Sequence, residues 1–278
     1  MSETKQSKTG VLSRWLVALV LVPPTLAAII LTNKLFLLFW VALIGTVAWW
    51  EYAVNLLGRE RRGLLAMSLI GFYATLSGAA FFGPDGQVAG LVTALAFGAM
   101  YMMYNLSPQG DRITVNLVGR YGLGHLYLTL GLSFIMLIKQ LEHGANWLIF
   151  VALVTALNDT GAFFVGSKLK GPKLFVKVSP NKTISGFLGG CALAIIAGIA
   201  SQSYMPLDFR WTHLAGLSLV LAIWGTLGDL FESCFKRAMG IKDTSTILRS
   251  HGGVWDRLDS LLFNFPPVYF FICWMTWP

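Results

Sequence analysis

Apolar stretches long enough to cross a bilayer follow one another along almost the whole chain. A helix needs about 20 apolar residues to span the hydrocarbon core, and a backbone in lipid must satisfy its own hydrogen bonds. Only 12% of the 278 residues are charged, against about 25% in soluble domains. The sequence therefore predicts an all-α, polytopic membrane protein with about nine transmembrane helices. They are expected at roughly 15–32, 35–57, 63–83, 87–106, 121–139, 147–167, 184–204, 213–235 and 254–276.

Basic residues collect in alternate connections between these helices. With about nine spans, all but three of the 21 lysines and arginines fall on one side of the membrane. The positive-inside bias then predicts a cytoplasmic N-terminus. The same bias explains the net charge of +8. We therefore expect the protein to lie in the lipid bilayer and to bind no nucleic acid. The three exceptions are Lys34, Lys139 and Arg210.

The composition of the segments predicts three parts. A short flexible cytoplasmic tail comes first, then a group of about five N-terminal transmembrane helices, then a C-terminal group that carries the chemistry. Two cytoplasmic loops in the last group hold most of its charged residues. The predicted bounds are 1–14, 15–145 and 146–278, with the loops at 168–183 and 236–253.

The most polar stretch in this apolar background reads GTLGDLFESCFKRAMGIKDTSTILRSHGGVWDRLDS. A helix places Asp229, Glu232 and Ser233 on one face, and Asp256 and Asp259 share a face in the same way. Acidic side chains are costly inside a bilayer, so they usually face a cavity, a partner or a metal. Carboxylates beside many cations indicate a magnesium site that handles phosphates.

Two further features predict phosphate binding. Lys182 and Thr183 stand at the expected start of a helix, where backbone N–H groups and a lysine favour an anion. Gly252 and Gly253 after His251 allow a backbone to approach an anion closely. The alternative that these cations only set topology or bind anionic lipid head groups stays open. The residues alone indicate a membrane enzyme of phosphoryl or nucleotidyl transfer at the inner leaflet.

Several motifs together resemble one known family. The segments SCFKRAMGIKD at 233–243 and HGGVWDRLD at 251–259 closely resemble the signature of phosphatidate cytidylyltransferases, also called CDP-diacylglycerol synthases. The segments NDTGA at 158–162 and SPNKTISG at 179–186 are similar to that family too, as is the pair Trp50-Glu51. The resemblance is dense over residues 155–262.

This resemblance implies transfer of a cytidylyl group from CTP to phosphatidic acid, giving CDP-diacylglycerol and pyrophosphate. It implies Mg²⁺ as cofactor with K⁺ as a candidate second cation, a homodimer, and an integral protein of the bacterial inner membrane whose active site faces the cytoplasm. The implied catalytic residues are Asp229, Asp256, Lys236, Arg237 and Asp243, and the implied metal ligands are Asp229, Asp256 and Asp259. The implied substrate-binding residues are Asn158, Asp159, Ser179, Lys182, Thr183, Ser233, Lys242, His251, Gly252, Gly253 and Arg257.

Two positions depart from the family pattern. Arg249-Ser250 stands where many members have Pro-Gly, and Ser245 stands where they have glycine. The lipid acceptor therefore stays open. The alternatives are a CTP-dependent lipid kinase, which would release CDP, and a cytidylyltransferase for another lipid phosphate. A cation-coupled transporter is a third, and it would need polar residues through the full membrane depth.

Overall fold

The computed structural model describes residues 21–31, 33–58, 61–105, 112–206, 209–245, 247 and 252–276. Most of these residues are helical. Seven continuous helical stretches, with Thr114–Gln140 counted as one, are long and apolar enough to cross a membrane. The predicted all-α, polytopic membrane fold is confirmed, while the count of nine spans and the orientation of the N-terminus stay predictions. The predicted tail 1–14 lies outside the described residues.

The elements follow the predicted spans closely. The helices are α1 (Leu21–Ile30), α2 (Lys34–Leu56), α3 (Arg62–Asn105), α4 (Arg112–Gly124), α5 (Leu130–Gln140), α6 (Gly144–Leu169), α7 (Ile184–Ala200), α8 (Trp211–Ala238) and α9 (Trp255–Met275). A π-helical segment His125–Thr129 joins α4 to α5, a 3₁₀ turn Ser201–Ser203 follows α7, and two strands are β1 (Lys173–Phe175) and β2 (Ser179–Thr183).

Internal contacts divide the chain into two compact units. Among the described residues, the first unit comprises those of Met1–Ser133 and Ile241–Arg257, and the second comprises those of Phe134–Gly240 and Leu258–Pro278. The sequence instead divided the chain between residues 145 and 146, into an N-terminal group of helices and a C-terminal catalytic group. That division stays a prediction.

Helix α3, in the first unit, is a helical hairpin. Gly83 has a φ of 65° and a ψ of −148°, a conformation that glycine adopts at little cost. Gly78 and Gly86 then lie so close that a Cβ on either would strike the carbonyl oxygen of the other. The two arms therefore fold back on each other, and they correspond to the predicted spans 63–83 and 87–106.

Aromatic side chains fix α2 against α4 and the π-helical segment within the same unit. Trp49 donates through Nε1 to Oγ1 of Thr129 at 2.8 Å. The hydroxyl of Tyr52 donates to the carbonyl oxygen of Arg120 at 2.7 Å. A Cβ on Gly124 would lie 2.6–2.7 Å from both aromatic rings, so glycine is needed there for the helices to meet. These contacts fix the rotation of α2 about its own axis.

The second unit is built on a tight contact between α6 and α7. A Cβ on Gly161 would lie 2.7 Å from the carbonyl oxygen of Gly189, and one on Gly190 would lie 2.8 Å from that of Asn158. Small residues allow this close approach in membrane helices, where no hydrophobic force brings helices together.

A short antiparallel β-hairpin precedes α7. Strands β1 and β2 pair with Lys173 opposite Thr183 and Phe175 opposite Ser179, with an irregular register between them. The segment predicted as the loop 168–183 therefore contains regular structure. Strands of three and five residues are too short to give a periodic sequence pattern.

The hairpin in α3 makes a direct prediction for Gly78→Ala. The new methyl group would strike backbone atoms of the opposite arm, so we expect a loss of about 1–3 kcal/mol in unfolding free energy. The matched control is Gly63→Ala in the same helix, where nothing lies within 4 Å of the new Cβ. Thermal unfolding in detergent measures both variants, and equal midpoints would contradict the folded-back arrangement.

Candidate active site

Two glycines of α8 allow a close approach to α9 in the second unit. A Cβ on Gly228 would lie 2.6 Å from the carbonyl oxygen of Asp259, and one on Gly225 would lie 2.9 Å from the amide nitrogen of Asn264. The two backbones can approach because neither glycine carries a side chain. The acidic residue next to Gly228 on α8, Asp229, is thereby brought close to α9.

Three carboxylates meet at this contact. Asp229, Glu232 and Asp259 each offer an oxygen, and these oxygens all lie within 4.8 Å of one another. Lys182 places its Nζ 2.5 Å from Oδ2 of Asp229. Lys236 places its Nζ 2.5 Å from Oε2 of Glu232, which is fully buried. The structure thus brings together Asp229 and Asp259, as predicted from the sequence, and adds Glu232.

The site role of Glu232 was missed by the sequence analysis. Its place on the helical face of Asp229 was noted, but no role was assigned to it. The available signal was the i, i+4 spacing to Lys236, which predicts an ion pair on one helical face. Because an acid in an apolar span is costly unless a charge or hydrogen-bond donors compensate it, the pair with Lys236 could have been expected.

A cavity of about 420 Å³ opens beside this cluster, a volume within the ~300–1,000 Å³ range of ligand sites. Residues of α6, β1, β2, α7 and α8 line it, and apolar walls come from Ala162, Phe163 and Phe187. Five of the predicted site residues lie at this cavity. They are Asn158, Asp159, Lys182, Thr183 and Asp229.

The predicted helix start beside the cavity is confirmed. Thr183 caps α7, because its Oγ1 accepts from the backbone N–H of Gly186 at 3.1 Å. The N–H of Ile184 donates to the carbonyl oxygen of Pro172 at 2.9 Å. The N–H groups of Ile184 and Gly186 are therefore already bonded within the protein, so the predicted phosphate contact depends mainly on Lys182.

Two predicted site residues on α8 form hydrogen bonds within the second unit. The hydroxyl of Ser233 donates to Oδ1 of Asp229 at 3.4 Å. Nε of Arg237, an exposed residue, donates to the carbonyl oxygen of Val178 at 3.3 Å. Ser233 therefore helps to orient a carboxylate of the cluster, and Arg237 ties the end of α8 to the segment between the strands. Ser179, at the start of β2, is half-buried.

The remaining predicted residues that the structure describes lie in the first unit. Asp256 is buried, and its Oδ2 accepts from the N–H and hydroxyl of Thr244 at 3.0 and 2.9 Å and from the N–H of Gly253 at 2.7 Å. These bonds order the segment before α9, and the metal role of Asp256 stays a prediction. Lys242, Asp243 and Arg257 are exposed, Gly252 is buried with a φ of 76°, and His251 lies outside the described residues, as does Arg249-Ser250.

Glu51 is a second residue that the sequence analysis did not assign. It is buried in α2, and its Oε1 accepts from the hydroxyl of Ser245 at 2.6 Å and the N–H of Val254 at 3.0 Å. Its Oε2 accepts from the N–H of Trp255 at 2.8 Å and the hydroxyl of Thr244 at 3.3 Å. The signal in the sequence was a lone acid inside an apolar span.

Comparison with known proteins assigns the chain to a family. A model of the cytidylyltransferase family matches residues 12–275. The chain belongs to the cytidylyltransferase family. It is therefore a nucleotidyltransferase, its helices make it an integral membrane protein, and the family resemblance of the sequence motifs is confirmed.

Curated relatives of this cytidylyltransferase carry a more specific name. The chain is 33% identical to the phosphatidate cytidylyltransferase of Bacillus subtilis (strain 168) over 211 residues, which make up 76% of this chain and 78% of that protein. It is 38% identical over 136 residues to the phosphatidate cytidylyltransferase of Staphylococcus aureus (strain COL). That match covers 49% of this chain and only 52% of the staphylococcal protein.

The close contact at Gly228 yields a prediction for the cytidylyltransferase site. Gly228→Ala should push α9 away from α8 and separate Asp229 from Asp259. Since a displacement of about 1 Å can cost about 10²-fold in rate, turnover should fall by that order. Gly216→Ala in the same helix, where nothing lies within 4 Å of the new Cβ, should keep its activity. Wild-type turnover in the Gly228 variant would contradict this reading of the contact.

Proposed function

We propose that this chain transfers the cytidylyl group of CTP to phosphatidic acid and releases pyrophosphate, forming CDP-diacylglycerol. The observation that carries the proposal is the cluster of Asp229, Glu232 and Asp259 beside a cavity that also holds Lys182. The family supplies the reaction class, and relatives named phosphatidate cytidylyltransferase support the lipid acceptor.

The donor set at the cluster fits Mg²⁺. All three groups are carboxylates, and hard oxygen ligands are those that Mg²⁺ prefers. Counting every acid and lysine as ionised, the three carboxylates of the cluster and the neighbouring, exposed Asp159 together carry two more charges than the two ammonium groups, an excess that a divalent cation would balance. A magnesium ion bound there would neutralise charge on the phosphates of CTP, with K⁺ as a candidate second cation. The groups counted are Asp159, Asp229, Glu232, Asp259, Lys182 and Lys236.

The reaction needs positioning more than an activated side chain. A phosphate oxygen of phosphatidic acid is already anionic, and it forms the new bond to the α-phosphorus of CTP. The bond from that phosphorus to the oxygen that bridges the α- and β-phosphates of CTP breaks, and this oxygen leaves with the electron pair as a terminal oxygen of pyrophosphate. The lysine ammonium groups can hold two anions together and offset the charge on the leaving group.

The roles of the other predicted residues belong to the same proposal. Lys236 and Arg237 would contact the phosphates from α8, and Asn158 and Thr183 would contact the nucleotide or lipid at the cavity. Lys242, Asp243, Arg257 and the segment His251-Gly252-Gly253 would contact substrate as well, with Asp256 as a further metal ligand.

The cellular placement is also proposed. The distribution of lysine and arginine supports an active site on the cytoplasmic side of a bacterial inner membrane. The proposal of a homodimer is based on family resemblance, and measuring the mass of the protein in detergent tests it.

The first test is the reaction itself. Purified protein in detergent with labelled CTP, phosphatidic acid and Mg²⁺ should yield labelled CDP-diacylglycerol and pyrophosphate. Asp229→Asn and Asp259→Asn should each lower turnover by at least about 10²-fold, since electrostatic groups at reacting centres contribute that much. The matched control is Glu142→Gln, an exposed acid with 90% of its side chain accessible. Release of CDP with a phosphorylated lipid would instead identify a lipid kinase.

A second test measures metal binding without turnover. Adding Mg²⁺ to protein treated with chelator should raise the thermal unfolding midpoint, because a ligand at about 100 times its Kd stabilises by about 2.7 kcal/mol. The increase should disappear in Asp229→Asn and Asp259→Asn and persist in Glu142→Gln. The same titration of Asp256→Asn decides whether that residue is a ligand. An increase retained in the first two variants would contradict the metal assignment.

A further inference from the structure

An acid from α2 holds the segment that precedes α9 in the first unit. We call this segment, the described residues of 241–254, the signature loop. Glu51 accepts four hydrogen bonds from Thr244, Ser245, Val254 and Trp255. Three of these donors belong to the loop itself and the fourth is the first residue of α9, so one side chain contacts both ends of the loop.

The burial of Glu51 makes these bonds energetically necessary. Its side chain is only 2% exposed, and a buried carboxylate is destabilising unless several donors surround it. Two of the donors, the N–H groups of Val254 and Trp255, lie at the start of α9 and have no acceptor within that helix. A negative charge at a helix start is also favourable. Glu51 therefore caps α9 from a different helix.

Glycine at position 253 makes room for this carboxylate. A Cβ there would lie 2.5 Å from Oε2 of Glu51 and would also strike Oγ1 of Thr244. The single hydroxyl hydrogen of Thr244 is shared between Oε2 of Glu51 at 3.3 Å and Oδ2 of Asp256 at 2.9 Å. A change at Glu51 is thus passed directly to the hydrogen bonds of Asp256.

A second bond connects α2 to the same loop. Asn55, one helical turn beyond Glu51, donates through Nδ2 to the carbonyl oxygen of Thr244 at 3.0 Å. Because Trp49 and Tyr52 fix the rotation of α2, Glu51 and Asn55 offer the loop a rigid support.

We infer that Glu51 is a positioning residue for cytidylyl transfer, acting through the conformation of the signature loop. This inference rests on the proposed function, since the loop carries Lys242 and Asp243 and is bonded to Asp256. Ser245, which departs from the family pattern, adds a donor to Glu51 that glycine could not supply.

The test compares Glu51→Gln with wild type in the labelled-CTP assay. Glutamine has nearly the same volume, but it replaces one acceptor oxygen of the carboxylate with an NH2 donor and removes the negative charge. The loop should therefore shift, and kcat per folded molecule should fall about 10²-fold. Hydrogen–deuterium exchange should quicken at the amides of Val254 and Trp255. Gln87→Met is the control, because it breaks a buried bond to Ser133 in the same unit without contacting the loop. It should keep both kcat and the exchange rates at the loop.

Two more variants separate positioning from general destabilisation. Glu51→Asp keeps the charge and should lose less activity than Glu51→Gln. If Glu51→Gln does not fold, kcat and amide exchange are compared between Glu51→Asp and wild type instead. Ser245→Ala should lower kcat in wild type but not further in Glu51→Gln, because coupled residues are not additive. The inference would be overturned if the losses in kcat from Ser245→Ala and Glu51→Gln were additive, or if Glu51→Asp were no more active than Glu51→Gln. Unchanged kcat and unchanged amide exchange in Glu51→Gln would also overturn it. An inactive wild type would instead refute the proposed function.

Discussion

The cost of placing carboxylates among apolar helices governs how this protein is built. A buried acid without compensation is strongly destabilising, and in a membrane such residues face partners or cavities. The two units meet this cost differently. Glu232 is compensated by the ammonium group of Lys236 and Asp229 by that of Lys182, whereas Glu51 is compensated by N–H and hydroxyl donors.

Close backbone contacts make that compensation possible. Large apolar side chains such as Phe39, Phe82 and Trp274 are exposed, as expected of surfaces that face lipid. Between helices in lipid, association depends on packing and hydrogen bonds instead of apolar burial. Glycines supply the packing, at Gly228 between α8 and α9 and at Gly161 between α6 and α7. The acid cluster therefore depends on residues that have no chemistry of their own.

The sequence predicted the helices well because lipid leaves the backbone few choices. Span length and apolar composition were sufficient for α2 and α6 through α9, and an acid in an apolar background marked Asp229 and Asp259. The role of Glu51 could not be predicted, since its partners lie 193 to 204 residues further along the chain. The β-hairpin before α7 was missed because its strands are too short for a pattern, and the Gly78–Gly86 contact depends on packing that sequence periodicity does not show.

The hydrogen-bonding state of each carboxylate indicates which acids are suited to bind a cation. Oδ2 of Asp256 already accepts three hydrogen bonds, and both oxygens of Glu51 accept two each. Those oxygens would have to give up donors to bind a metal. Asp229 and Glu232 instead face lysines, whose mobile ammonium groups can move to a phosphate when a metal takes their place. The hydrogen bonds therefore divide the acids into two groups. Those of Glu51 and Asp256 hold the signature loop in shape, and the contacts of Asp229 and Glu232 with lysines are the kind that a cation can replace.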